Sequence, residues 1–218
     1  MIKDVIIFGI NDFAELAYYY FSNDSDYNVI AFTVTSEYIE NKTSFNNLPV
    51  VSAEKLELIY PPESFLLFVP MAPTKMNRVR EKIYLEFKEK GYSFASYLSS
   101  KAVILTKDIG ENCFILESNV IQPFVKIGNN VILWSGNHIG HHSLIKDHVM
   151  FSSHVVLSGH CIVENNCYFG VNSTIKEYTR LKIGTFLAMS SGLTKDTEEW
   201  AFYKGFPATK SKVSTKLL

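Results

Sequence analysis

The sequence predicts a chain of two unlike parts: a small α/β sheet domain over residues 1–98 and a triangular coil of short parallel strands over residues 99–197, followed by a tail at 198–218. Three observations predict it. Up to Leu98, near-continuous apolar runs alternate with amphipathic helical stretches, the pattern of a parallel sheet covered by helices. From Asp108 onward an apolar residue returns at every sixth position, which is a repeat signal and not a helix or a simple strand. With 47% hydrophobic and 20% charged residues, the 218-residue chain has enough apolar material for two cores and none of the polarity of disorder.

Taken in order, KDVIIFG is a strand buried on both faces, DFAELAYYYF a helix and YNVIAFTV a second strand. LPVVSAEKLELIYPPE reads as a connector punctuated by prolines, SFLLFVP as a strand, TKMNRVREKIYLEFKEKG as a helix closed by Gly91, and YSFASYL as a last short strand. Open sheets of this kind bind ligands at the carboxyl ends of their strands, which makes the turn GIND, with Gly9, Asn11 and Asp12, the candidate pocket. Of a GxGxxG phosphate signature only Gly9 is present.

The six-residue series runs Ile109, Ile115, Ile121, Ile127, Leu133, Ile139, Ile145, Phe151, Leu157, Val163, Phe169, Ile175 without a miss. Four positions after each comes a small or medium residue, from Cys113 and Asn119 to Ser173 and Thr179, and glycine often follows the apolar position. Each hexad makes one side of a three-sided prism, so eighteen residues complete a coil. After Ile175 the register is expected to slip by two and resume at Ile183, Leu187, Met189 and Leu193, with Lys176 to Lys182 bulging and roughly five coils in all at the ~4.8 Å strand spacing.

Four of the six histidines fall in NHIGHHSLIKDH, residues 137–148, where a metal cage, an acid/base catalyst and an inert surface are all open. The register sorts them. His142, His148, His154 and His160 are six apart, on successive corners, and diverge; residues eighteen apart stack, placing His142 over His160 in a column with Phe124 and Tyr178, and His141 over Gly159. A metal cage would then need histidines from several subunits, and no metal is expected. His141 projects from the coil edge, and an imidazole titrates close enough to neutrality to accept and release a proton, so His141 is the candidate general base. His148 and His154 read as solvated corner residues, while for His138 and His160 both surface and substrate contact stay open. Trp134 is a candidate for stacking on a sugar ring or for an interface.

Composition narrows the partners. A net charge of -1 without a basic run argues against nucleic acid. No stretch approaches the ~20 apolar residues of a membrane span, and the N-terminal apolar run is too short for a signal peptide, so a cytoplasmic location is expected. Cys113, Cys161 and Cys167 lack metal or disulfide spacing and read as small buried hydrophobes.

The hexads resemble those of the hexapeptide-repeat transferases. The stretch HIGHHSLIKDHVMFSSHVVLSGHCIVENNCYFGVNSTI, with the N-terminal sheet, is similar to the bacterial sugar acyltransferases that include sialic acid O-acetyltransferases and 4-amino-sugar N-acetyltransferases. The resemblance implies a Rossmann-like sheet followed by a left-handed parallel β-helix, assembly as a homotrimer, and acetyl-CoA as co-substrate. By the same resemblance His141 is the base and the Gly159 N–H binds the thioester carbonyl. CoA lies along Val171, Met189 and Ser190, with Gly205, Pro207, Ala208 and Lys210 of GFPATK holding its far end. Gly9, Asn11, Asp12, Trp134 and His142 are the candidate contacts to the sugar or nucleotide sugar. N-acetylating relatives have an acidic residue after the base, where this chain has His142. The implied function is transfer of acetyl to an amino or hydroxyl group of a sugar, free, nucleotide-linked or part of a surface-glycan precursor. The alternatives are a non-catalytic trimeric scaffold or sugar-nucleotide sensor, and the same enzyme with a formyl or longer acyl donor.

Overall fold

A computed structural model describes residues 3–39 and 42–205. The first part is a six-stranded sheet in the order β3-β4-β2-β1-β5-β6, where β1 is Lys3–Phe8, β2 Tyr27–Val34, β3 Ser44–Phe45, β4 Leu48–Ser52, β5 Leu66–Phe68 and β6 Ser93–Phe94. All pairings are parallel except the β3/β4 hairpin. Helix α1 (Asp12–Asn23) starts at Asn11, whose side chain accepts from the Phe13 and Ala14 N–H groups and satisfies two of the orphan donors of the first turn. The segment expected to be a connector instead supplies a strand, β4, which lies between β2 and the two-residue edge strand β3, and a helical turn, α2 (Leu56–Ile59). Pro49 is tolerated there because the pairing of β4 with β2 begins only at Val50, so its missing N–H removes no bond of that ladder. Helix α3 (Arg78–Glu89) gives way to Gly91 at φ 90°, the left-handed conformation glycine adopts most easily.

The second part is a left-handed parallel β-helix with three flat faces. Its first face stacks Tyr97–Leu98, Phe114–Ile115, Ile132–Leu133, Met150–Phe151, Tyr168–Phe169, Phe186–Leu187 and Phe202–Tyr203. The second stacks Val103–Ile104, Val120–Ile121, His138–Ile139, Val156–Leu157, Thr174–Ile175 and Gly192–Leu193. The third stacks Lys126–Ile127, Leu144–Ile145, Ile162–Val163 and Arg180–Leu181. From Ile115 to Leu193 the inward residues of the series, such as Ile121, Ile139 and Leu157, are buried, and each such side chain contributes about 1.5–3 kcal/mol by leaving water.

Two expectations are corrected here. The register does not slip after Ile175: Leu181 is inward and buried, and Arg180–Leu181 pairs with Ile162–Val163, so the series continues through Leu187 and Leu193 at intervals of six without a bulge. Also, YSFASYL is two strands, not one. Ser93–Phe94 ends the N-terminal sheet, whereas Tyr97–Leu98 already pairs with Phe114–Ile115 and opens the β-helix ahead of residue 99.

The outward residues of the first face are Phe114, Ile132, Met150 and Tyr168, far more apolar than Lys126 or Arg180 on the third. They pack in one cluster with Ala14, Ala17, Phe21 and Phe68 of the N-terminal sheet domain. That shared core fixes the sheet domain against one face and leaves the second and third faces open.

Candidate active site

The candidate site lies where the second face turns into the third. Each corner passes through one residue in the left-handed region, and in this column those residues are Phe124 (φ 66°), His142 (φ 59°), His160 (φ 59°) and Tyr178 (φ 60°). Histidine enters this region more readily than most residues, and the coil-to-coil bonds His160 N–H to His141 O (2.9 Å) and Tyr178 N–H to Gly159 O (3.1 Å) hold the turn in place.

His141 is exposed, and its N–H donates to Gln122 Oε1 at 2.8 Å. The imidazole lies over Gly159: a Cβ there would sit 3.0 Å from His141 Cε1 and 3.1 Å from Nε2. A Cβ on Gly140 would meet the Gly159 nitrogen at 2.5 Å, so position 140 needs glycine for the coils to close, whereas a Cβ at 159 would press on the His141 ring. The Gly159 N–H donates to no acceptor among the described residues. His141 Nδ1 and His142 Nδ1 face each other at 3.0 Å, so one ring donates the proton and the other accepts it.

As the register predicts, His142 stacks on His160 (ring centroids 4.9 Å apart, 12° between planes), His160 on Tyr178 (4.6 Å, 6°), and Phe124 on His142 (4.6 Å, 35°). The His141 ring stands at 90° to His142 and 89° to His160. The expectation that a histidine cluster needs several subunits is therefore corrected. His142 and His160 meet by stacking, His141 is the sequence neighbour of one of them, and one ring nitrogen from each lies within 4.8 Å of the others in a single chain.

His148 is also corrected: it is 5% exposed, not solvated, whereas His154 is exposed as expected. Its corner is covered by α3. Asn112 Oδ1 accepts from the Val69 N–H (2.8 Å), Asn112 Nδ2 donates to Asn130 Oδ1 (2.8 Å), and Asn130 Nδ2 reaches His148 Nδ1 (2.9 Å). An amide nitrogen only donates, so His148 Nδ1 is bare and the ring is neutral with its proton on Nε2, 3.7 Å from Glu81 Oε1. Burial lowers the His148 pKa, against the pull of Glu81 and Asp147 and with the help of Arg80. Arg80 itself is fully buried, bonded to the carbonyls of Met71, Asn130 and Val149, and burial brings it down to about 9, still charged at neutral pH.

The remaining predicted residues divide between corners. Gly9 is buried at φ 113°, and its N–H is committed to Thr33 O (2.7 Å). Asn11 is committed to capping α1, which leaves the exposed Asp12 as the freest of the three. Trp134 packs edge-to-face on Phe13 (5.5 Å, 88°), and so joins the GIND turn to the corner between the first and second faces. Val171, Met189 and Ser190 are exposed on that corner too, and Gly205 lies against Ser190 and Ser191. Within one chain they stand across the second face from His141. Pro207, Ala208 and Lys210 lie outside the described residues. The sequence reading passed over Gln122. Its signal was available, because Gln122 sits eighteen residues before Gly140 and hence one coil above the base.

Residues 108–141 match the family described as bacterial transferase hexapeptide (six repeats). No curated protein matches the sequence. Among solved structures, the acetyltransferase domain of PglB from Neisseria gonorrhoeae in complex with acetyl coenzyme A superposes with TM-score 0.81 at 18% identity, covering 96% of this chain and 99% of that one. PerB from Caulobacter crescentus, in complex with CoA and GDP-perosamine, gives TM-score 0.81 at 18% identity, covering 96% and 97%. WeeI from Acinetobacter baumannii gives 0.79 at 21%, covering 95% and 99%. The hexapeptide match thus covers part of the β-helix, and the chain shares the fold of these three structures over nearly its whole length.

Proposed function

We propose that this protein transfers an acetyl group from acetyl-CoA to an amino or hydroxyl group of a sugar, in the cytoplasm and as a homotrimer. The observation that carries the reading is the pairing of an exposed imidazole, His141, with an uncommitted N–H, Gly159, one coil apart at the open edge of the β-helix. Complexes of PglB with acetyl coenzyme A and of PerB with CoA and GDP-perosamine support the donor and a sugar-nucleotide acceptor.

With its Nδ1 proton donated to His142, His141 presents a lone pair on Nε2. As the acceptor attacks the thioester carbonyl, that Nε2 takes its proton. The Gly159 N–H stabilises the oxyanion, and collapse of the intermediate expels CoA thiolate, to which the imidazolium returns the proton. A positioned base contributes about 10²- to 10⁴-fold, and one oxyanion donor about 10²- to 10³-fold. His142 replaces a carboxylate as the group that orients the base.

The same division between corners supports assembly from several copies. The His141 corner and the corner of Val171, Met189, Ser190 and Gly205 flank the second face of one chain, so a CoA touching both sets is most simply held between the His141 corner of one copy and the other corner of its neighbour. Asn11 and Gly9 being already bonded, the sugar is held chiefly by Asp12 and Trp134 of one copy facing His142 of its neighbour, and a nucleotide phosphate gains less from the α1 N-terminus than an uncapped helix would give.

The test is calorimetry with acetyl-CoA, followed by a transfer assay over amino sugars and their nucleotide-linked forms. Binding plus transfer that is lost in His141→Ala is the expected result. Absence of acetyl-CoA binding sinks the enzyme and leaves the scaffold or sensor; transfer only from formyl or longer acyl donors redefines the donor.

A further inference from the structure

We propose that His141, His142 and His160 form a binding site for a divalent transition-metal ion of the zinc class, complete within one chain, and that occupancy switches the base off. Among the described residues this is the group of side chains that brings three ligand nitrogens within 4.8 Å of one another. One pair of the three already has the spacing of a tetrahedral centre. Zinc–imidazole bonds of about 2.0–2.1 Å set neighbouring nitrogens roughly 3.3 Å apart, and the His141 and His142 Nδ1 atoms already stand at 3.0 Å.

His142 and His160 are parallel members of the Phe124-to-Tyr178 stack, so their in-plane lone pairs converge on one ion when one of the two rings turns about its Cβ–Cγ bond. His141 stands perpendicular to both. Its backbone is anchored through Gln122. Three neutral imidazoles also match the ligand preference of zinc, nickel and copper over calcium or magnesium, and three protein ligands leave a fourth position for water. Exposure of His141 and His142 supplies the entry path.

The consequence for chemistry rests on the acetyltransferase reading. In the metal-free state the His141 Nδ1 keeps a proton, and Nε2 is the free base. A metal on Nδ1 moves that proton to Nε2, where it blocks the abstraction step. One metal ion binds, His141 and His142 each keep one proton on Nε2, and neither a proton nor an electron is lost. The same imidazole that activates the acceptor thus becomes a ligand, and rising free zinc lowers turnover.

The experiment uses tag-free, chelator-stripped full-length protein. Cobalt(II) titration reads the visible absorption of a low-symmetry nitrogen site, and zinc calorimetry reads stoichiometry. One ion per chain is expected. His160→Gln, at a position outside the proposed proton transfer, should weaken binding by more than the ~10-fold that loss of an outer partner alone costs, while His154→Gln on an uncovered corner leaves it unchanged. Lack of saturable binding by the wild type overturns the site, as does wild-type affinity in His160→Gln; if that variant fails to fold, His142→Gln is held to the same criterion. Binding is measured without acetyl-CoA, so a cobalt signature from a protein that never transfers acetyl keeps the site and removes the enzyme. An active enzyme whose rate stays constant at saturating zinc keeps the enzyme and removes the switch.

Discussion

Two corners of the same β-helix carry histidines at the same hexad position and in the same backbone conformation, His142 at φ 59° and His148 at φ 62°, yet they have opposite chemistry. His148 lies beneath α3, neutral, with Nδ1 tied to an asparagine and Nε2 turned to Glu81. His142 lies in the open, sharing a proton with His141 and stacking on His160. The repeat sets where a side chain leaves the coil, and the covering element decides whether it serves packing or reaction. Where α3 docks, a histidine is a structural acceptor; where nothing docks, it is available to substrate.

The sharpest break in that comparison is removal of the base. His141→Ala should lower kcat by about 10²- to 10⁴-fold while the melting temperature stays near wild type, because the side chain is exposed and its loss opens no cavity. The mirror-image change is His148→Leu. It fills similar volume but strands Asn130 Nδ2 inside the domain seam, costing about 1–3 kcal/mol of stability. The CoA affinity should be little altered, since the seam lies on a different corner. Chemical denaturation paired with calorimetry checks both arms, and a stable His148→Leu would mean that the asparagine ladder does not bear on docking.

Acid should separate the corners a second time. His148 has a folded-state pKa below its unfolded value, near 6.5, because burial and Arg80 outweigh Glu81 and Asp147. The unfolded chain therefore binds the proton first. Stability from the neutral ring is complete above about pH 6.5 and is lost as pH falls through that value toward the lowered one. The Asp147 and Glu81 carboxylates, and Tyr84 packed edge-on against the ring, face the same group. A wild-type stability curve that flattens below pH 6.5 in His148→Leu is the expected signature; parallel curves for the two proteins refute it.

The sequence makes the hexads legible because their period is set by backbone geometry: one inward residue per face, repeated until it cannot be chance. The histidine column from Phe124 to Tyr178 follows from the same arithmetic. What arithmetic does not supply is cover. His148 reads as solvated because nothing local says that Arg78–Glu89 will lie across it, although Phe114, Ile132, Met150 and Tyr168 marked the first face as the one that needs a lid. The missed Leu181 had a different cause. The charged run at Lys176 to Lys182 hid a single apolar residue in register, and one inward side chain per six is all that a coil requires. Pairing across sequence neighbours, as in His141 with His142, depends on ring rotation, which spacing does not encode.

The smallest effect lies at the other end of the domain seam, where the gripping group is a carboxylate instead of an imidazole. Asp24, which ends α1, accepts from the Tyr97 hydroxyl (2.6 Å), the Ser99 hydroxyl (3.3 Å) and the Ser100 N–H (3.0 Å) at the entrance to the β-helix. The Ser100 and Tyr97 hydrogen bonds bring its pKa down to about 2. A lowered carboxylate pKa contributes stability above the unfolded value, near 3.9, and gives it up as pH falls toward 2, well below the window in which His148 acts. Because Asp24 is partly open to water, screening reduces its contribution to about 1 kcal/mol. Asp24→Asn should therefore cost about that much at pH 7 and nothing at pH 2, with His141-dependent transfer unaffected. Equal destabilisation at both pH values would place the effect in lost shape at the seam and not in the charge.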